Sequence, residues 1–414
     1  MDRVTATYLI ETPGDCAQAA ATLAGEQSSG TFVDVPGETA ELKQRFAARV
    51  EKITEQETVP SPSLPTGRSH PGPYRRAEIV VSWSVENFGH NLPALISTLQ
   101  GNLYELPQFS GLKLLDFEIP ASFAAHFRGP KFGAAGTRKL TGVEGRPLIG
   151  TIIKPSIGLT PTQTAELVQT LVEAGIDFIK DDELMADPPH SPFDARVDAV
   201  MRVINTHTQR TGKKVMYAFN VSDEHDPMMR HYEKIVTSGG TCAMVSLNSV
   251  GLSAAKKICD IGALAIHGHR NGWGMLNRHP LLGIEFSAYQ KLWRLAGVDQ
   301  LHVNGLANKF WESDDSVVRS MAACRAPFLS GAILPVVSSG QWGGQAPETF
   351  RRTKTTDLLY MAGGGIMAHP DGPAAGVQFL RKWWEAAVEG LTAEQAAKKY
   401  PELAKSVAKF GGRA

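Results

Sequence analysis

Apolar and polar positions along the chain change rhythm near residue 145. Before it, the alternating runs Thr5 to Ile10 and Glu78 to Ser84 have the period of two expected of half-buried strands, and segments around Ala17–Ala24 and Thr39–Val50 predict two helices. The Pro-rich stretch Val59–Pro73 reads as a loop. These elements predict a small α+β domain over residues 1–145. From Pro147 onward, compact apolar runs alternate with amphipathic segments: Leu148–Ile153, Ile176–Ile179, Lys214–Ala218, Cys242–Leu247, Ala263–Ile266, Gln300–Val303, Ile333–Val336 and Leu358–Met361. Strands buried on both faces read as continuous apolar runs, and their alternation with helical stretches predicts parallel strands joined by helical crossovers. Eight such repeats predict a (β/α)8 TIM barrel with C-terminal helices over residues 146–414, near the usual ~250 residues of that fold.

Composition narrows the function classes. The chain has 414 residues and is 43% hydrophobic, enough for a large core, and its length alone suggests roughly two to three domains. The 42 basic and 42 acidic residues cancel, with no long single-sign run, so neither nucleic acid nor a membrane surface is an expected partner. Cys16, Cys242, Cys259 and Cys324 lack the spacing of a disulfide framework or a structural zinc site. The N-terminus has no basic stretch followed by an apolar core, and no apolar span reaches membrane length, so a cytoplasmic protein is expected.

Barrel chemistry gathers at the C-terminal ends of the strands. The second run ends in Lys180-Asp181-Asp182-Glu183, where carboxylates offer the hard oxygen ligands that Mg²⁺ requires. Lys180 admits two readings: an ion pair with its acidic neighbours, or a lysine that takes up CO₂ as a carbamate and becomes an oxygen ligand. The first run leads into Lys154-Pro155-Ser156. The fifth leads into His267-Gly268-His269-Arg270, and the sixth contains His302. The seventh and eighth end in Ser338-Ser339-Gly340 and Gly363-Gly364-Gly365, turns whose backbone N–H groups suit a phosphate, although three glycines alone also make an ordinary flexible turn. Arg270 and His302 are donors for a second anionic group or satisfied structural residues.

The stretches Gly150-Thr151-Ile152-Ile153-Lys154-Pro155, Phe178-Ile179-Lys180-Asp181-Asp182-Glu183, Ile266-His267-Gly268-His269-Arg270 and Gly363-Gly364-Gly365-Ile366-Met367-Ala368-His369-Pro370, in that order, resemble the large subunit of ribulose-bisphosphate carboxylase (RuBisCO). They resemble the RuBisCO-like (form IV) proteins more closely. The resemblance implies a ferredoxin-like N-terminal domain, a carbamate on Lys180, and Mg²⁺ held by Lys180, Asp182 and Glu183, with Asp181 in support. Lys154 would be the proton-transfer base, His269 a further catalytic residue, and Lys309 the lysine carried toward the substrate by a mobile loop. Glu26, Thr31 and Asn102 match residues that the N-terminal domain contributes to the partner's site, which implies a homodimer with shared sites. Arg270, His302, Ser338, Gly340, Gly363 and Gly364 would bind the phosphorylated substrate.

Departures from the carboxylase pattern set the expected activity. Ser156 stands where carboxylases have a second lysine, Phe32 where they have tryptophan, and Ser338-Ser339 replaces serine-glycine. The loop Asn304-Gly305-Leu306-Ala307-Asn308-Lys309-Phe310-Trp311-Glu312 is unlike theirs. CO₂ fixation is therefore not expected. The group acting on 3-oxo-isoapionate 4-phosphate is the nearer resemblance: decarboxylation is the leading reading, transcarboxylation or hydrolysis the second, a methylthio-sugar phosphate enolase or isomerase the third. A binding protein that has lost its chemistry is the non-enzymatic alternative.

Overall fold

The computed structural model describes residues 2–29, 35–66, 70, 72–329 and 331–412. In chain order its strands are β1 (Arg3–Thr12), β2 (Arg49–Val59), β3 (Tyr74–Ser84), β4 (Gly111–Glu118), β5 (Leu148–Ile152), β6 (Phe178–Lys180), β7 (Met216–Asn220), β8 (Cys242–Ser246), β9 (Ala265–His269), β10 (Leu282–Ile284), β11 (Gln300–Asn304), β12 (Leu334–Ser338) and β13 (Leu359–Met361). They belong to two units, Met1–Arg128 with Gly272–Leu295, and Gly129–Asn271 with Ala296–Ala414.

In the first unit a five-stranded sheet runs β10-β4-β1-β3-β2, antiparallel except for the β10/β4 pair. Val4, Ala6, Tyr8 and Ile10 of β1 and Ala77, Ile79, Val81 and Trp83 of β3 are buried in alternation, as the period of two predicts. The helix Cys16–Glu26 is capped by Asp15. The second expected helix is shorter than its pattern suggested. It covers Ala40–Phe46, Ala47 turns extended, and the chain enters β2, an edge strand exposed along nearly its whole length. With no buried face, β2 leaves no alternation to read. β4 was also missed. Its Lys113 is buried, donating to Asn277 O and His279 O and pairing with Glu285, so a charged side chain occupies a core position. The excursion Gly272–Leu295, expected within the barrel region, supplies β10 to this sheet instead.

In the second unit the eight remaining strands close into a parallel barrel, β5-β6-β7-β8-β9-β11-β12-β13, on the eight apolar runs read from the sequence. Leu148, Phe178, Met216, Met244, Ala265, Leu334 and Leu359 fill its interior. Phe132 and, on the helix Gly133–Thr141 that follows it, Ala134 and Leu140 pack against that core, and Asp299 accepts from Phe132 N and Gly133 N. The division between units therefore falls near Arg128, earlier than the change of rhythm at residue 145. Among the described residues, no helix is long and apolar enough to cross a membrane.

Candidate active site

β6 ends in the acid cluster. Lys180 is 1% exposed, and its Nζ donates to Asp181 O at 2.8 Å with Glu183 Oε2 at 3.4 Å. Burial lowers the Lys180 pKa against the pull of Glu183 and Asp182, easing the loss of the proton that must leave before the amine can react with CO₂. Lys154, just beyond β5, donates from Nζ to Asp182 Oδ2 and to Ser156 Oγ, each at 2.6 Å. Burial works to raise the Glu183 carboxyl, but His269 and Lys180 outweigh it and hold Glu183 ionised.

Tyr217, Asn220 and Arg196, which the sequence did not single out, hold the supporting Asp181 and with it this cluster in place. Asp181 is buried, and its Oδ1 accepts from the Tyr217 hydroxyl at 2.6 Å while Oδ2 accepts from Asn220 N at 3.0 Å and lies 3.3 Å from Arg196 Nη2. Asn220 Nδ2 reaches the carbonyls of Asp182 and Glu183 at 3.3 and 3.2 Å. Burial, then Asp181, pushes the Tyr217 phenol well up, so it stays a donor. The one sequence signal for any of these was Asn220, a polar residue closing the apolar run of β7.

The histidines of β9 and β11 form a directional chain through the barrel. Thr137 Oγ1 donates to Gly133 O, so it accepts from Gln300 Nε2 at 3.1 Å, and Gln300 Oε1 is left to accept from His267 Nδ1 at 2.9 Å. His267 Nε2 then accepts from His302 Nε2 at 2.8 Å, and His302 Nδ1 faces Ser338 Oγ at 3.1 Å. Burial pushes both imidazoles well below their ordinary value, so the chain is neutral. His269 packs against His302 with centroids 4.3 Å apart and ring planes tilted by 55°, and its Nδ1 accepts from Asn271 N, turning Nε2 toward Glu183 Oε2 at 3.5 Å. Burial and the Lys180 charge lower the His269 pKa to about 4.

Lys154, Lys180, Asp182, Glu183, His269, His302 and Ser338 are thus linked through direct contacts or one intermediate. Arg270 turns to Glu312, at 3.0 Å, which also accepts from Asn304 Nδ2 at 2.6 Å. Lys309 is exposed on the loop after β11, its backbone N donating to Ser339 O at 3.2 Å and its Nζ 5.1 Å from the Phe310 ring centre. Gly340 has φ +85°, a conformation that favours glycine, and Gly363 and Gly364 open the short helix Gly363–Met367 after β13. In the first unit, the Gln27 amide, oriented to satisfy both partners, donates to Ser97 O and accepts from Asn102 N at 3.1 Å, which brings the segment of Glu26 beside Asn102. Thr31 and Phe32 lie outside the described residues.

The donor set suits a hard divalent cation. Asp182 and Glu183 offer carboxylate oxygens beside a buried lysine, and the Lys154 and Lys180 ammonium groups now balance the charge that such an ion would balance. Residues 133–410 match the family described as ribulose bisphosphate carboxylase large chain, catalytic domain, and residues 2–123 match its N-terminal domain.

The chain belongs to the RuBisCO large-chain family.

Within that family, it is 53% identical over 405 residues (97% of this chain and 98% of the relative) to the 3-oxo-isoapionate-4-phosphate transcarboxylase/hydrolase of Xanthobacter autotrophicus. It is 48% identical over 411 residues (98% of each) to the 3-oxo-isoapionate-4-phosphate decarboxylase of Rhizobium rhizogenes. The crystal structure of a RuBisCO-like protein from Burkholderia fungorum superposes with a TM-score of 0.93 at 47% identity, covering 99% of this chain and all of that one.

Proposed function

We propose that this RuBisCO-like chain is a carboxy-lyase that removes CO₂ from 3-oxo-isoapionate 4-phosphate. The carrying observation is the placement of Lys154, an ammonium paired with Asp182 at 2.6 Å and steadied by Ser156, where it can hand a proton to carbon beside the acid cluster. Mg²⁺ held by Asp182, Glu183 and the carbamate of Lys180 would supply Lewis-acid stabilisation of negative charge on the substrate's oxo oxygen. The bond between the carboxylate and its neighbouring carbon breaks, CO₂ departs, and the electron pair is drawn toward the 3-oxo group. Lys154 then delivers its proton to that carbon. Backbone N–H groups around Ser339, Gly340 and Gly363–Gly365 are assigned the phosphate. The Ser338 hydroxyl is directed inward, toward His302 and the Val303 carbonyl. Glu26 and Asn102 are assigned to the partner's site in a homodimer, Thr31 by resemblance alone.

The test is CO₂ release together with ³¹P NMR of the product, on purified protein with Mg²⁺ and bicarbonate. CO₂ with a tetrulose phosphate is expected, and deuterium from D₂O should enter the carbon that lost CO₂. Lys180→Ala should abolish turnover in a folded protein. Transcarboxylation or hydrolysis is the second reading, favoured by the 53% identity to the Xanthobacter relative. Phosphoglycerate with glycolate, without net CO₂, would replace the first reading by the second. No reaction of the β-keto acid, with deuterium entering a methylthio-sugar phosphate, would refute both.

A further inference from the structure

A second cluster of ligand-type side chains lies away from Lys180. Asp187 is in the loop after β6, Asp223 in the loop after β7, and His231 on the helix His225–Thr237, with one ligand atom from each lying within 4.8 Å of the others. Two carboxylates on a surface are common without an ion, so the buried histidine decides the matter. Its side chain is 8% exposed, and its Nδ1 is buried without a hydrogen-bond partner. Nε2 stands 3.6 Å from Asp187 Oδ2 and Nδ1 3.8 Å from Asp223 Oδ2, both beyond hydrogen-bond range.

Each carboxylate is already oriented. Asp187 Oδ1 accepts from Phe193 N at 2.6 Å and Asp223 Oδ1 from Glu224 N at 2.7 Å, leaving both Oδ2 atoms aimed at the imidazole. The ring plane is set by stacking on Phe193, centroids 4.1 Å apart. The loop bearing Asp187 is held from inside by Arg196, fully buried, which donates to Ser191 O at 2.6 Å and to the carbonyls of Met185 and Ala186. Burial keeps His231 in the neutral form a metal needs, so the two carboxylates face a ring that does not balance their charge. Asp194 adds negative charge toward the ring and Arg230 positive.

We propose that Asp187, Asp223 and His231 form a second divalent-cation site, distinct from the Lys180 cluster. One imidazole nitrogen with two carboxylate oxygens suits Zn²⁺ or a similar borderline ion better than Mg²⁺. Donor atoms about 2.0–2.1 Å from a tetrahedral ion stand about 3.4 Å apart; the 3.6 Å from His231 Nε2 to Asp187 is near that, while the full set, one atom from each residue within 4.8 Å of the others, would have to draw together on a single imidazole nitrogen. A bound ion would tie the loop after β6, which carries the acid cluster at its start, to the loop after β7. This inference is independent of the reaction assigned above.

The experiment uses the full chain, stripped with chelator, dialysed, and given saturating Mg²⁺ and bicarbonate to fill the Lys180 cluster. Zn²⁺ is then titrated by calorimetry, and Co²⁺ by its visible absorption. The four cysteines are all buried and do not compete. One equivalent per chain is expected, weakened at least about 10-fold, the smallest effect usual even for residues that only support a ligand, by Asp223→Asn and by His231→Gln, and unchanged in Lys180→Ala. Asp223 is partly exposed, so Asp223→Asn tests the site even if the buried His231→Gln fails to fold. Absence of binding, binding that Asp223→Asn leaves within twofold, or binding lost with Lys180→Ala would overturn the proposal.

Discussion

Tyr217→Phe tests whether the acid cluster is held in place from behind. The substitution keeps the ring and its packing against Phe219, centroids 4.3 Å apart, and removes only the hydroxyl that donates to Asp181 Oδ1 at 2.6 Å. A hydrogen bond to a buried charged group contributes about 1.5–3 kcal/mol, and no cavity is made. Asp181 keeps Asn220 N and Arg196 on its other oxygen, so the loss should stay near ~2 kcal/mol, or about 4–8 °C in Tm at the 2–4 °C per kcal/mol of larger domains. The functional effect should exceed what that loss alone explains. Lys180 Nζ is bonded to the Asp181 carbonyl, and Asp182 and Glu183 follow directly, so a shift of Asp181 displaces the proposed ligands. Outer partners of metal ligands are typically worth 10- to 100-fold in metal affinity or activity. The assay is the Mg²⁺ concentration giving half-maximal CO₂ release, beside thermal unfolding followed by circular dichroism. If neither Tm nor the Mg²⁺ requirement moves, Asp181 is not a support for the cluster and the reasoning fails.

Lys154→Met should remove the proposed proton donor at a half-buried position and leave the buried Asp182 without its ion pair; CO₂ release falling about 10²-fold or more in a protein that still folds, with some fall in Tm, is expected, and unchanged turnover would take Lys154 out of the mechanism. His267 and His302 lie well below the ordinary imidazole pKa and His269 at about 4, burial first in each case. Below about pH 6.5 the unfolded chain therefore binds protons that the folded chain does not, and stability is lost as pH falls from about 6.5 toward 4, by about 1.4 kcal/mol per pH unit for each site. Tm measured across that window should fall less steeply in His302→Asn, and parallel slopes would argue against the neutral chain. A side chain at Gly305 would overlap the Gln341 amide that holds Leu306 O, so Gly305→Ala should displace the Lys309 loop and lower kcat more than Tm; full activity would mean that loop has no part in turnover.

What could be read from the sequence follows from which physical signals are local. The barrel was legible because parallel strands buried on both faces leave continuous apolar runs, and the acid cluster because its acids are consecutive. β2 and β4 were not, one having no buried face and the other a buried, paired lysine at a core position. Tyr217, Asn220 and Arg196 meet Asp181 through the parallel pairing of β6 with β7, Lys180 opposite Ala218, and through a helix that begins beyond the next loop. Spacing along the chain carries no trace of such contacts. Gln300 was hidden differently, a polar residue at the head of an apolar run; its role, and that of His267 in the motif, appears only when the amide and hydroxyl orientations set which nitrogen holds each hydrogen.

Ser156 shows what structure adds to a departure already visible in the sequence. Read alone, it is the loss of a lysine associated with carboxylation. In place, its hydroxyl accepts from Lys154 Nζ, and Lys154 in turn holds Asp182. A second ammonium at that position would press a like charge on Lys154 and compete for the same carboxylate, whereas a neutral acceptor leaves one proton-bearing lysine with a defined direction. Decarboxylation of a 3-oxo acid needs one proton delivered to one carbon and no captured CO₂ to be steadied, so the replacement fits the proposed reaction from both sides.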